Sequence, residues 1–306
     1  MKILITGGAG FIGSHIAERY QNKADEILIL DNLRTGYRHN LNGLRHTFIE
    51  GSVTDRELVR EAVNGVDYVF HLAALVSVSE SMTKSAECVD INVHGLLNVL
   101  EEAADAGVKK LVFASSAAVY GDEPTVPKLE TMAPAPKSPY AITKLDGEYY
   151  LDMYQREGRL ATAAIRFFNV FGPRQDPNGA YAAAVPAFAE KARRNEEITI
   201  FGDGEQTRDF IYVADIAGAL SFAVETPGVT GVFNAGYGGQ ITINDLASRI
   251  ISAAGSSSKV SHGPERAGDI RHSRASAGKL RAAGWIPAYT LDEGISITLK
   301  SIHDVH

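Results

Sequence analysis

Short apolar runs at Lys2–Thr6, Glu26–Leu30, Tyr68–His71 and Lys110–Ala114 recur through the N-terminal part of the chain, and helical patterns separate them. A strand that is apolar at successive positions must be covered on both faces, and an intervening helix returns the chain for parallel pairing. This alternation predicts an α/β fold of the doubly wound kind, a parallel sheet with helices on both sides. Phe11–Tyr20 places Ile12, Ile16 and Tyr20 on one helical face, and Asp55–Val63 and Asn92–Ala104 carry similar stripes. Beyond about residue 170, Pro173, Pro177, Gly179 and Pro186 punctuate the chain, and strands such as Thr199–Phe201 and Val232–Asn234 are short. These features predict a smaller second lobe, with the helical pattern Val213–Glu225 able to return to the main sheet.

Gly7, Gly8, Gly10 and Gly13 fall between the first strand and the first helix, where a tight turn lets a pyrophosphate approach backbone N–H groups. The spacing Gly7-x-x-Gly10-x-x-Gly13 differs from the usual G-x-G-x-x-G, so the case for a Rossmann-type dinucleotide site rests on the strand-to-helix context as well as on the glycines. Asp31 ends the second strand, where a carboxylate can accept hydrogen bonds from the adenosine ribose hydroxyls and repel a 2′-phosphate. That favours NAD, although Arg34 could meet such a phosphate and Asp31-Asn32 could equally open a polar turn.

Tyr140 and Lys144 share one face of a helix that Ser138-Pro139 would begin. A free phenol titrates near pH 10, too high for a good base at neutrality, but a neighbouring ammonium and a positive nicotinamide ring favour the phenolate, which could take a proton from an alcohol. Upstream, Lys110–Ala114 ends in Ser115-Ser116 at the carboxyl edge of the sheet, where ligands of open α/β folds bind. Each feature alone has an ordinary structural reading. Their order along the chain (glycine turn, acidic strand end, strand-end serine, Tyr/Lys helix) points to hydride chemistry at an alcohol.

The formal charge of -7 argues against a nucleic-acid partner, because phosphate recognition needs a basic face. The single cysteine, Cys88, excludes an internal disulfide framework and a Cys-rich zinc site, and no metal is expected. Met1–Thr6 is too short an apolar run for a signal peptide, and no stretch reaches the length of a membrane span. The expected location is cytoplasmic, with no membrane partner.

Through TGGAGFIGSH, DNL, HLAA, ASSAAVYG, SPYAITK and RFFNVFGPRQDPNGAY the chain resembles the extended short-chain dehydrogenases that modify nucleotide sugars, nearly end to end. It looks most like the UDP-hexose 4-epimerases, in particular the branch that handles N-acetylated sugars. With the change of pattern near residue 170, this gives a Rossmann-type domain over residues 1–170 and a mainly substrate-binding lobe over residues 171–306, with some of its segments expected to return to the Rossmann domain. The resemblance implies NAD held by Gly7, Gly10, Phe11, Ile12, Gly13, Asp31, Asn32, Asn92, Tyr140 and Lys144, and a UDP-sugar held by Ser116, Tyr140, Asn169, Arg208, Arg266, Asp269 and Ser273. Tyr140 would remove the 4-hydroxyl proton, and the resulting 4-keto sugar would turn over before reduction on its other face. Ser116 would hold the same hydroxyl, and Lys144 would bind the nicotinamide ribose and lower the tyrosine pKa.

Local features refine this likeness. Related dehydratases and decarboxylases carry acidic residues just after the catalytic serine, where this chain has Ala117 and Ala118. Ser273 falls where a small side chain admits an N-acetyl group, and GAYAAAVP resembles the same branch. Ser52-Val53 replaces the Asp-apolar pair that often meets the adenine, which leaves the backbone to serve there. The competing expectations are another nucleotide-sugar epimerase, a dehydratase or a reductase, and outside enzymes an NAD-binding regulator. The family likeness also implies a homodimer through the helices over Asn92–Ala104 and Ser138–Gln155.

Overall fold

The computed structural model describes residues 1–177, 183–265 and 271–303. Its centre is a seven-stranded sheet in which every pairing is parallel. Strands β1 (Lys2–Thr6), β2 (Glu26–Asp31), β3 (Thr47–Glu50), β4 (Tyr68–His71), β5 (Lys110–Ser116) and β6 (Ala161–Phe167) are joined by a seventh at Gly231–Ala235. The order across the sheet is 231–235, β6, β5, β4, β1, β2, β3. The chain turns outward in opposite directions from the β1/β4 boundary, so a crevice opens at the carboxyl ends of those strands.

Side-chain alternation divides the core. Ile3, Ile5, Ile27, Ile29 and Phe70 face helix α1 (Phe11–Tyr20) and helix Val213–Glu225, where Ile16, Tyr20, Ile216 and Leu220 complete the layer. Leu4, Leu28, Val69 and Leu111 face the other way, toward α2 (Arg56–Val63), α5 (Gly95–Asp105) and α6 (Pro139–Arg156). The short helices α3 (Val78–Thr83) and α4 (Ser85–Val89) precede α5.

A third apolar cluster joins helices Ala184–Arg193, Ile243–Ala254 and Leu291–His303 to strand Ile198–Phe201 around Val185, Phe188, Ile200, Leu246 and Ile295. Strand Val232–Asn234 does not belong there. It forms the middle of Gly231–Ala235, which pairs with β6 at the edge of the main sheet, and its shortness reflects an edge position rather than a separate lobe. The helix expected over Asn92–Ala104 also differs: its first turn widens to a π-turn at Asp90–His94 before α5 begins.

Candidate active site

The turn after β1 can be made only with glycine. Gly7 has φ +70°, and a Cβ there would lie 2.8 Å from the Ala73 nitrogen. A Cβ on Gly13 would sit 2.3 Å from the Gly7 carbonyl oxygen. Gly10 caps α1 without a side-chain hydrogen bond, and the first turn of α1 carries no acidic residue, so the helix presents bare N–H groups to whatever lies above it. A cavity of about 390 Å³ opens at that point, lined by Gly7, Gly10, Phe11, Ile12, Gly13, Asp31 and Asn32 at one end and by Tyr140 and Lys144 at the other. The bare helix end, the Cβ-free cradle and the acidic strand end fit a dinucleotide.

Asp31 both lines this cavity and builds the turn beside it. One carboxylate oxygen accepts from Ala9 N at 2.9 Å and the other from Leu33 N at 2.8 Å. Burial raises its pKa, and the two backbone bonds act in the opposite direction. Ser52 and Val53 line the same wall, with the Ser52 hydroxyl 2.8 Å from that of Thr54. The far wall, Arg174–Asp176, is tied to α1 by Arg174–Glu18 at 2.7 Å and by His15 on the Pro173 carbonyl at 3.0 Å.

At the other end β5 delivers Ser115-Ser116, and α6 starts beside it with Ser138 as N-cap and Pro139 in the first turn. Tyr140 and Lys144 then fall one turn apart on the face toward β5. Lys144 Nζ donates to the Ala114 carbonyl at 2.7 Å and lies 4.6 Å from the Phe113 ring centre and 5.8 Å from that of Tyr140. Ser116 Oγ accepts from Ala118 N at 3.1 Å, closing the turn that carries Ala117 and Ala118.

In the protein alone, burial outweighs the mutual help expected of this pair. It raises the Tyr140 pKa, with the Ser116 hydroxyl pulling the other way, and it lowers Lys144 from its ordinary 10.5 to about 7. Both shifts follow from removing an ion from water. Between about pH 7 and 10.5 the unfolded chain therefore binds a proton at Lys144 that the folded one does not, so this group makes stability rise with pH across that window. The stability of the native protein minus that of Lys144→Met, measured by urea unfolding without added nucleotide, should rise by on the order of a few kcal/mol over that range. A flat difference would show that the ammonium is not desolvated.

Asn92 does not line the cavity. Its Oδ1 accepts from Leu75 N at 2.7 Å, and its Nδ2 donates to Thr143 Oγ1 at 3.0 Å, so it ties the loop after β4 to α6 next to Lys144. Asn169 and Arg208 instead share a second cavity of about 490 Å³, with Phe188, Lys191, Phe201 and Phe210; it adjoins the first through Val170. Ser273 lies beside Arg208, its backbone N donating to the Thr207 carbonyl at 3.1 Å. Arg266 and Asp269 lie outside the described residues.

Two residues missed in the sequence organise this region. Asp209, fully buried, accepts from Gly238 N at 3.0 Å and from Ala275 N at 3.0 Å, stapling together the loops around Arg208 and Ser273. Burial pushes its carboxyl up to about 6, against those backbone bonds. Glu148, one turn beyond Lys144, meets Ser115 Oγ at 2.5 Å and Arg166 at 2.6 Å. The Asp209 signal was its place next to Arg208 in QTRDF; that of Glu148 was the continuing four-residue spacing after Tyr140 and Lys144.

The model of the NAD dependent epimerase/dehydratase family matches residues 3–236, and the chain belongs to that family. It is an NAD-dependent enzyme of the epimerase type. Among solved structures, it is similar to a UDP-N-acetylglucosamine 4-epimerase from Methanobrevibacter ruminantium in complex with UDP-N-acetylmuramic acid, at 37% identity, TM-score 0.95 and coverage of 100% of this chain and 99% of that one. It is also similar to the UDP-glucose 4-epimerase of Thermotoga maritima with UDP-glucose, at 39% identity, TM-score 0.94 and 99% coverage of both chains. A third, the Thermus thermophilus UDP-glucose 4-epimerase in complex with NAD, matches at 38% identity, TM-score 0.90 and 100% coverage of both.

Proposed function

We propose that the chain is a UDP-hexose 4-epimerase that interconverts UDP-GlcNAc and UDP-GalNAc, with UDP-glucose and UDP-galactose as further substrates. The observation that carries this reading is the absence of an acid at the reacting end. Among the described residues the only carboxylates lining the first cavity are Asp31, at the adenosine end, and Asp176, which accepts from the Tyr37 hydroxyl at 3.2 Å. Alanines follow Ser116, so among the described residues lining this cavity Tyr140 is the group placed to move a proton, and no carboxylate at that end is placed to serve elimination of water.

NAD, when bound, supplies a positive ring and a reversible hydride acceptor. Gly7, Gly10, Phe11, Ile12, Gly13, Asp31 and Asn32 hold it, and Asn92 supports the site from behind through Leu75 and Thr143. Ser116 and Tyr140 grip the sugar 4-hydroxyl, Tyr140 takes and returns its proton, and Lys144 binds the nicotinamide ribose and lowers the tyrosine pKa. Asn169, Arg208, Arg266, Asp269 and Ser273 hold the nucleotide end, the arginines through forked hydrogen bonds to phosphate oxygens. The small Ser273 side chain and the likeness to a UDP-GlcNAc 4-epimerase support the N-acetylated substrate. Incubation with UDP-GlcNAc and, separately, UDP-glucose, with products resolved by NMR, should give a C4 epimer of each, the N-acetylated pair faster. No C4 epimer from either would sink the proposal.

The enzyme acts as a homodimer through α5 and α6. Ile142, Tyr149 and Met153 are 47%, 62% and 41% exposed at helical spacing on α6, and Met82 and Val89 on α3 and α4 extend the apolar face at 62% and 40%. A second copy covers this face. Light scattering should give twice the chain mass for the native protein and a monomer for Tyr149→Arg with Met153→Asp; a native monomer would refute the assembly.

A further inference from the structure

An arginine three residues beyond Asp31 is the group that would pair with a 2′-phosphate. Arg34 lines the dinucleotide cavity, yet both arms of its guanidinium are held by carboxylates from distant parts of the chain. Nη2 donates to Glu80 Oε1 at 2.8 Å and Nη1 to Glu87 Oε1. Glu80 stands on α3 and Glu87 on α4, and neither lines the cavity. Lys84 lies between them, 2.9 Å from Glu80 and 3.8 Å from Glu87, so two cations and two carboxylates close on one another with no net charge left over.

The other cations lining the cavity are Lys144 and Arg174, and Arg174 is paired through Nη2 while its buried Nη1 has no hydrogen-bond partner among the described residues. Arg174 pairs with Glu18 at 2.7 Å, and Lys144 sits at the opposite end on the Ala114 carbonyl. Asp31 keeps its carboxylate at the strand end, where it opposes a second anion. Arg34 is the cavity cation that stands in the turn after Asp31, so a phosphate entering there gains that counter-ion only when Arg34 is released from Glu80 and Glu87.

We infer that Glu80 and Glu87 determine cofactor specificity: by holding Arg34 in a closed ion-pair cluster at the cavity wall, they deny a 2′-phosphate its counter-ion and so exclude NADP in favour of NAD. The side chains of the cluster are 28% to 52% exposed, so the pairs add little to folding stability and their removal tests selectivity rather than the fold.

Native protein and the double variant Glu80→Gln with Glu87→Gln are incubated with equimolar NAD and NADP, and the retained dinucleotide is extracted and identified by chromatography. The share of NADP should rise by about tenfold in the double variant, the value of one charge-assisted phosphate contact. Adding Arg34→Ala to that variant should return the share to the native level, because the freed guanidinium carries the effect. Arg34→Ala alone should leave NADP excluded. An unchanged share in the double variant overturns the inference, as does a fall in NADP share on Arg34→Ala alone, which would mean that Arg34 already meets the phosphate. A double variant that folds but retains neither dinucleotide also overturns it, since the cluster would then be part of the cradle itself.

Discussion

Tyr140→Phe is expected to lower epimerisation by about a thousandfold while the protein still retains NAD. The substitution removes one oxygen and leaves the ring that closes the end of the cavity, so packing and dinucleotide binding should survive. On the proposed function, what is lost is the proton acceptor for the 4-hydroxyl. Ser116 is held as the cap of the following turn, and Lys144 is engaged with the Ala114 carbonyl. Because burial holds the phenol protonated in the protein alone, the native rate should also climb with pH as the phenolate becomes accessible. The Phe variant should lose that rise. Turnover by NMR and dinucleotide content after extraction check both halves; undiminished turnover would move the base elsewhere.

The amino-acid pattern was sufficient where structure is written locally. Strand β1, helix α1 and helix Val213–Glu225 coincide with the apolar patterns, and the glycine turn and the Tyr140/Lys144 face lie where the spacing puts them. It was incomplete where partners are distant in the chain. Nothing around Arg34 announces Glu80, and nothing around Asn92 announces that a π-turn carries it to Leu75 and Thr143. Strand Gly231–Ala235 was misplaced for the same reason: short strands look alike until the sheet decides which neighbour each one has. Asp209 shows the converse, a carboxylate beside a substrate-binding candidate that proves to be a staple between loops.

Glu148 gives the largest expected effect on stability, because it is the carboxylate of a buried ion pair that joins α6 to the sheet. Its oxygens accept from Arg166 Nε at 2.8 Å, Arg166 Nη2 at 2.6 Å and Ser115 Oγ at 2.5 Å, while both members of the pair are almost wholly buried. Burial alone would pull the Arg166 pKa down; the Glu148 hydrogen bonds and charge overcome it and hold the guanidinium ionised. Glu148→Ala leaves that cation in the core beside the Tyr120 ring, 4.7 Å away, without its carboxylate, and should cost about 3–5 kcal/mol. Replacing both partners together, Glu148→Leu with Arg166→Leu, should recover most of the loss, since the charge that made the single change costly is gone. The same contact braces the helix that carries the proposed catalytic pair. Ser115 follows Ala114, the acceptor of Lys144, and Glu148 lies one turn beyond that lysine, so loosening α6 from β5 moves Tyr140 and Lys144 together. The double variant should therefore fold yet turn over up to about a hundredfold more slowly than native protein, as expected of a misplaced catalytic group. Urea unfolding followed by circular dichroism, with turnover measured on the folded variants, separates the two effects. A single Ala variant within about 1 kcal/mol of native stability would show that the pair is not the desolvated clamp its burial indicates.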